Sequence, residues 1–163
     1  MKTVTILLTK YSDVVSTLVY YLCGRGYTHA SLSLDGGEIY YSFNYHGFCK
    51  ETLDKHRHRG VKKSLAYQLH VSDSAYEGIT RGLAVFKAHR AEFGYTRLGV
   101  LFCVLGIPFR WEKHYFCSQF VAELLKNAGL IPWQRPAALY LPNDLRGELA
   151  GCPQLATIQE NLI

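Results

Sequence analysis

Apolar and polar positions along the chain change their period several times, and each change marks an element. The opening stretch "TVTILLT" (3–9) is a nearly unbroken run of β-branched and apolar residues, which predicts a buried strand. In "SDVVSTLVYYLCGRG" the period lengthens. Val14, Val15, Leu18, Val19 and Leu22 fall on one helical face, with Ser12 placed to cap the helix and Gly24 to stop it. "THASLSLDGGEIYYSFN" predicts two strands around a Gly36-Gly37 turn. A two-residue turn there sets Asp35 against Glu38 and His29 opposite Asn44, with Ser42 and Tyr40 on the face of His29; an odd-length loop brings Tyr41 or Phe43 to that face instead.

"SLAYQLHV" (64–71) predicts a further strand. "SDSAYEGITRGLAVFKAHRAEFG" predicts a long helix, capped near Ser72 or Ser74 and stopped at Gly94, with Ile79, Leu83, Val85 and Phe86 on its apolar face. Gly78 and Gly82 weaken it by up to about 1 kcal/mol each. The apolar stretch 98–109 is expected to pack inside. From Cys117 onward, Phe120, Val121, Leu124, Leu125 and Ala128 recur at helical spacing, and Gly129 ends the pattern. The tail holds a proline-punctuated loop (132–142), a short helix near "PNDLRGEL" and a last strand in "QLATIQ". Helices and antiparallel strands are segregated, so the expected class is α+β.

Composition narrows the picture. With 163 residues, 48% of them hydrophobic, and no repeat or linker, the chain suits a single domain over 1–163. The apolar run before Lys10 is shorter than the roughly 7–15 residues of a signal peptide, and 98–109 is shorter than the ~20 residues of a membrane span. The expectation is a cytoplasmic protein with no integral membrane segment. The formal charge is +5, much of it in "KETLDKHRHRGVKK" (50–63). That segment reads as a solvated loop, with an anionic ligand or membrane surface as the alternative. No aromatics interleave its charges, which argues against nucleic acid as a partner.

Five cysteines, Cys23, Cys49, Cys103, Cys117 and Cys152, are an odd count with no CxxC pair. This speaks against a disulfide framework and a zinc site, and no metal or cofactor is expected. Cys117 differs from the other four in standing at a helix start. There the unpaired N–H groups and the macrodipole favour an anion and lower a thiol's pKa, and a backbone N–H can receive an oxyanion. Ser118 and Gln119 add polar groups beside the sulfur. A buried core thiol is the competing reading, since free cysteines are among the most buried residues.

A nucleophilic thiol needs a base, and seven histidines compete. His56 and His58 sit in the charged segment, His89 late on a polar helix, His46 among loop aromatics, His70 near a strand end and His114 on the extended segment before Cys117. His29 opens a strand, which fixes an imidazole better than a loop does. A hairpin partner, Ser42 or Asn44, would hold its second nitrogen as the third member of a cysteine–histidine–polar triad.

"YTHASLSLDGGEIYYSF" followed by "YFCSQFVAELLKNAG" resembles the permuted papain-like cysteine hydrolases, the YiiX-like branch of the NlpC-type cell-wall peptidases, which are related to the lecithin:retinol acyltransferases. The histidine strand precedes the cysteine helix, which is the permuted order. The resemblance implies a circularly permuted papain-like fold, an antiparallel sheet packed on the nucleophile-bearing helix. It implies Cys117 as nucleophile and His29 as base, with Ser42, in the family-like "YSF" patch, favoured narrowly over Asn44 as third residue. Tyr95, in "FGYTRLG", matches a family tyrosine that helps hold the oxyanion, and Ser118 lies beside it in the expected substrate site. The implied activity is an amidase or peptidase working through a thioester, on cell-wall-type peptides or small amides. Lipid acyl transfer or thioester hydrolysis, and a non-catalytic ligand-binding module on the same fold, are the alternatives.

Overall fold

The computed structural model describes residues 1–12, 21, 25–34 and 36–163. The helix expected after Ser12 falls almost wholly outside the described residues, as do Cys23 and Asp35. The fold is α+β, built on an antiparallel sheet. Its strands are β1 (Lys2–Thr9), β2 (His29–Leu34), β3 (Tyr40–Asn44), β4 (Gly47–Glu51), β5 (Ser64–Val71) and, at the far edge, β8 (Leu155–Glu160), in the order β4-β3-β2-β1-β5-β8. A short parallel pair, β6 (Gly94–Tyr95) and β7 (His114–Tyr115), stands apart from it. The helices are α1 (Leu53–His58), α2 (Asp73–Ala88), α3 (Arg97–Val104), α4 (Cys117–Asn127) and α5 (Pro142–Ala150). Among the described residues no helix is long and apolar enough to cross a membrane.

Alternation divides the sheet into two faces. Val4, Ile6 and Leu8 of β1, Ala30 and Leu32 of β2, Tyr41 and Phe43 of β3 and Phe48 of β4 enter one large core with the apolar faces of α2 and α4. The opposite face carries a smaller cluster, Leu7, Tyr40 and Ala66, partly covered by Leu53 of α1 and the C-terminal Leu162 and Ile163. His29, Ser31, Ser33, Ser42, Cys49 and Glu51 are the polar or small residues that alternate onto this second side, and all are buried.

The β2–β3 register pairs Leu32 with Tyr41 and Ser33 with Tyr40. That is the register a turn with Asp35 facing Glu38 requires. α2 is capped by Ser72, whose hydroxyl accepts the N–H of Ala75, but it ends at Ala88, short of Gly94. A 3-10 turn over Arg90–Glu92 follows, and Gly94 opens β6. Ile79, Leu83 and Phe86 of α2 are buried, whereas Val85 is exposed. The glycines that weaken α2 have a packing reason. A Cβ on Gly82 would lie 2.6 Å from Leu124 Cδ2, and one on Gly78 would lie 3.2 Å from Ala128, so both let α2 approach α4 closely.

The 98–109 stretch departs from expectation most. It forms α3 and the turn after it, and Leu98, Leu101, Leu105 and Ile107 are exposed. Gly99, Val100, Cys103 and Val104 supply the inner face, packed with Phe116 and Leu141.

Candidate active site

α4 starts where the buried, extended Phe116 gives way to helical backbone. Gln119 reaches back to accept the Phe116 N–H at 3.4 Å, and Phe120, Val121, Leu124 and Leu125 pin the helix to the core. This anchoring leaves Cys117 at the first helical position, 7% exposed. Its sulfur interacts with the His29 side chain and with the backbone N–H groups of Ala30 and Ser118.

His29 is the first residue of β2, paired with Thr9 of β1. Its Nε2 lies 2.8 Å from Glu51 Oε2, which leaves Nδ1 as the nitrogen free to face the sulfur. Tyr11 packs edge-on against the imidazole with ring centroids 5.3 Å apart. Glu51 ends β4 and is almost wholly buried. Its other oxygen, Oε1, accepts the Cys49 thiol at 3.7 Å. His56, fully buried on α1, brings Nε2 to 3.6 Å from Glu51 Oε2 while its Nδ1 meets the Tyr11 hydroxyl. A ring lone pair aimed at a carboxylate would repel it. His56 therefore carries its proton on Nε2, and Tyr11 donates to Nδ1.

The side chain that meets the far nitrogen of His29 is Glu51, not the Ser42 or Asn44 expected there. Ser42 does not touch the imidazole; its hydroxyl donates to the Ala30 carbonyl at 2.6 Å and ties β3 to β2 behind the site. Asn44 uses its side-chain oxygen to accept the His46 N–H at the β3–β4 turn. Glu51 takes the place expected of either. It lies in the basic 50–63 segment, whose composition suggests a solvated loop. The signal that finds it is period two: with Phe48 in the core, Cys49 and Glu51 fall on the face of His29. The same charged neighbours mask the burial of His56.

The electrostatics follow from these contacts. Burial alone would lower the His29 pKa, but the Glu51 charge and the Cys117 sulfur outweigh it and raise it to about 10. For Glu51, burial pushes upward and is overcome by the charge and hydrogen bond of His29, which bring the carboxyl down to about 2. Burial likewise opposes ionisation of Cys117, yet the His29 hydrogen bond and charge and the two backbone N–H groups hold its pKa below the ordinary thiol value. The three groups thus favour thiolate, imidazolium and carboxylate. His56 is driven the other way, to about 4, by burial and the positive His29, against the pull of Glu51, so it is neutral near pH 7. Burial and the Glu51 charge push Cys49 up to about 12 and keep it a thiol.

A cavity of about 110 Å³ lies over Cys117 and His29. Tyr11, Asn44, Arg59, Tyr95, Arg97 and Ser118 contribute to its wall. Tyr95 and Ser118 thus share one cavity with the nucleophile. Ser118 is fully buried, and its hydroxyl has no hydrogen-bond partner among the described residues. Such an orphaned group is costly unless a bound molecule pairs it. Among the described residues no three His, Cys, Asp or Glu side chains are placed to hold a metal ion.

No family model and no curated protein matches the chain.

Proposed function

We propose that the protein is a cysteine hydrolase of the permuted papain-like type, cleaving an amide or ester through a thioester. The observation that carries this reading is the buried line Cys117–His29–Glu51, with the sulfur at a helix start and the imidazole held at its far nitrogen by a carboxylate. The order of histidine strand before cysteine helix, and the packing of α4 on β2 and β3, are what the family resemblance implies.

The Cys117 thiolate attacks the carbonyl carbon, forming a C–S bond while the π pair moves to oxygen. First-turn N–H groups of α4 are the donors proposed for that oxyanion, with Tyr95 in the same cavity wall. Collapse expels an amine or alcohol, which takes the proton from the His29 imidazolium. Neutral His29 then accepts a proton from water as the water oxygen attacks the thioester. The acid product leaves, and the thiolate–imidazolium pair is restored. Glu51 stabilises the imidazolium and fixes the ring in both steps. Cell-wall-type peptides and small amides are the substrates we propose.

A panel of electrophilic peptide and small-amide esters, read by intact mass, tests the reading. The expected result is an acyl adduct on Cys117 that water discharges and that is absent from Cys117→Ala. A folded protein that forms no adduct with any probe would leave the fold with a binding role only.

A further inference from the structure

The wall of the cavity continues into a helix whose outward face does not suit water. A surface helix normally opposes its buried stripe with charge, as α2 does with exposed Glu77, Arg81 and Lys87. α3 is apolar on both sides. Its inner face packs with Phe116 and Leu141, while Leu98, Leu101 and Leu105, spaced i, i+3 and i+7, point outward at 49%, 50% and 61% exposure. Exposed Ile107 and Trp111 carry the apolar surface onward. From Phe93 to Trp111 the chain holds no carboxylate; exposed Arg97 and Arg110 stand near its two ends, and exposed Glu92 and Glu112 lie just beyond them.

We propose that α3 and the 105–111 segment form a docking surface for an anionic lipid bilayer. Exposed aliphatic side chains with a tryptophan at the edge and arginines at both ends have the make-up of a segment lying in a membrane interface. The leucines enter the acyl boundary, the indole sits at headgroup level and the guanidinium groups meet phosphates. Charge selects this occupant over a second copy of the chain. Two copies, each with a whole-chain formal charge of +5, repel one another, whereas an anionic bilayer attracts the chain and offers phosphates to Arg97. Arg110 approaches Glu123 at 3.4 Å, but Arg97 borders both this face and the cavity, where Arg59 adds a second cation. The surface therefore places the mouth over Cys117 beside the headgroups. None of this depends on Cys117 being a nucleophile.

The test is co-sedimentation of the full chain with phosphatidylcholine vesicles, with and without about a quarter phosphatidylglycerol. The emission of Trp111 is followed in parallel in a Trp133→Phe variant. Binding only to the anionic vesicles, with a blue shift of Trp111, is expected. The double variant Leu101→Glu, Leu105→Glu should weaken binding about tenfold or more, with the Cys117 alkylation rate unchanged as the folding control. The Trp111 shift needs no substitution on the face, so the proposal remains testable if that variant folds poorly. Absence of binding would overturn it. So would vesicle binding indifferent to the leucine substitutions, which would move the contact to the basic 50–63 segment. A dimer abolished by the same substitutions, without vesicle binding, would make the face a contact between copies.

Discussion

Glu51 and His29 belong to strands separated by β3, yet their side chains meet at 2.8 Å, Oε2 on Nε2, with the carboxylate 1% exposed. A carboxylate so deeply buried persists only if it is paired, and removing one partner of such a pair costs about 3–5 kcal/mol. The pairing also gives the imidazole one orientation, with its other nitrogen toward the sulfur.

Glu51→Gln keeps the shape and removes the charge. Hydrolysis of any substrate that acylates Cys117 should fall by about 10²–10⁴-fold in kcat, and the alkaline limb of the rate profile should move to lower pH as His29 loses its main charge partner. Ser42→Ala should cost about 1 kcal/mol of stability through the lost bond to the Ala30 carbonyl, and little rate. Steady-state kinetics on both variants decide between the residues. Full activity in Glu51→Gln with loss in Ser42→Ala would return the third role to Ser42.

The thiols should separate by reactivity. At limiting iodoacetamide near pH 7, Cys117 should alkylate ahead of Cys49, whose pKa is pushed up to about 12, and ahead of buried Cys103 and Cys152. His29→Ala should slow Cys117 without changing the order of the rest. Peptide mapping after timed quenching reads both, and preferential labelling of Cys49 or Cys103 would remove the case for an activated Cys117.

The elements that were legible in the sequence are those with a single strong pattern. β1 and β5 are rich in β-branched and apolar residues, α4 has an unbroken stripe, and the Gly36-Gly37 turn set the β2–β3 register. Helix-start and strand-start positions made Cys117 and His29 candidates, and the permuted order of the two segments, a resemblance rather than a local pattern, singled them out. Glu51 and His56 were missed because charged neighbours such as Lys50, Lys55, Arg57 and Arg59 dominate any composition window around them. Their burial is a tertiary fact, created by the turn of chain between β4 and α1. α3 failed in the opposite sense: apolarity reads as burial, and only packing reveals which apolar face stays uncovered.

Gly47 holds the start of β4, and so the placement of Glu51, through a backbone at φ +95° that L side chains rarely adopt. A Cβ there would stand 2.5 Å from the carbonyl oxygen of Phe93, a backbone atom that cannot swing aside. Gly47→Ala should destabilise the fold by about 2–4 kcal/mol and slow Cys117 alkylation as β4 shifts. Thermal unfolding followed by circular dichroism measures the first effect, and an unchanged midpoint would show that the turn relaxes freely.

Stability should depend on pH through the buried groups whose pKa values are displaced, and their signs differ. His29 is raised from 6.5 to about 10, so its contribution is whole below pH 6.5 and is lost as pH rises through about 10. Glu51 is lowered from 4.5 to about 2, so its contribution is whole above pH 4.5 and is lost as pH falls through about 2. These two describe largely one ion pair and should not be summed. His56 is lowered from 6.5 to about 4 because it is buried neutral, so its contribution is whole above pH 6.5 and is lost as pH falls through about 4. Cys117 is held below the ordinary thiol value, so its contribution grows as pH rises toward that value and offsets the early loss from His29. The expected optimum is therefore a plateau upward from about pH 6.5, with an acid limb in two stages, His56 before Glu51. His56→Leu removes the first stage, flattening the curve between about pH 6.5 and 4 while leaving the alkaline limb in place. It also removes the Tyr11 hydrogen bond to His56, at about 1 kcal/mol across the whole range, with Arg59 still beside the hydroxyl. Urea unfolding at closely spaced pH values resolves the two effects, since the first changes a slope and the second an offset. A variant with the wild-type slope between pH 6.5 and 4 would place the acid sensitivity elsewhere and remove His56 from the network around Glu51.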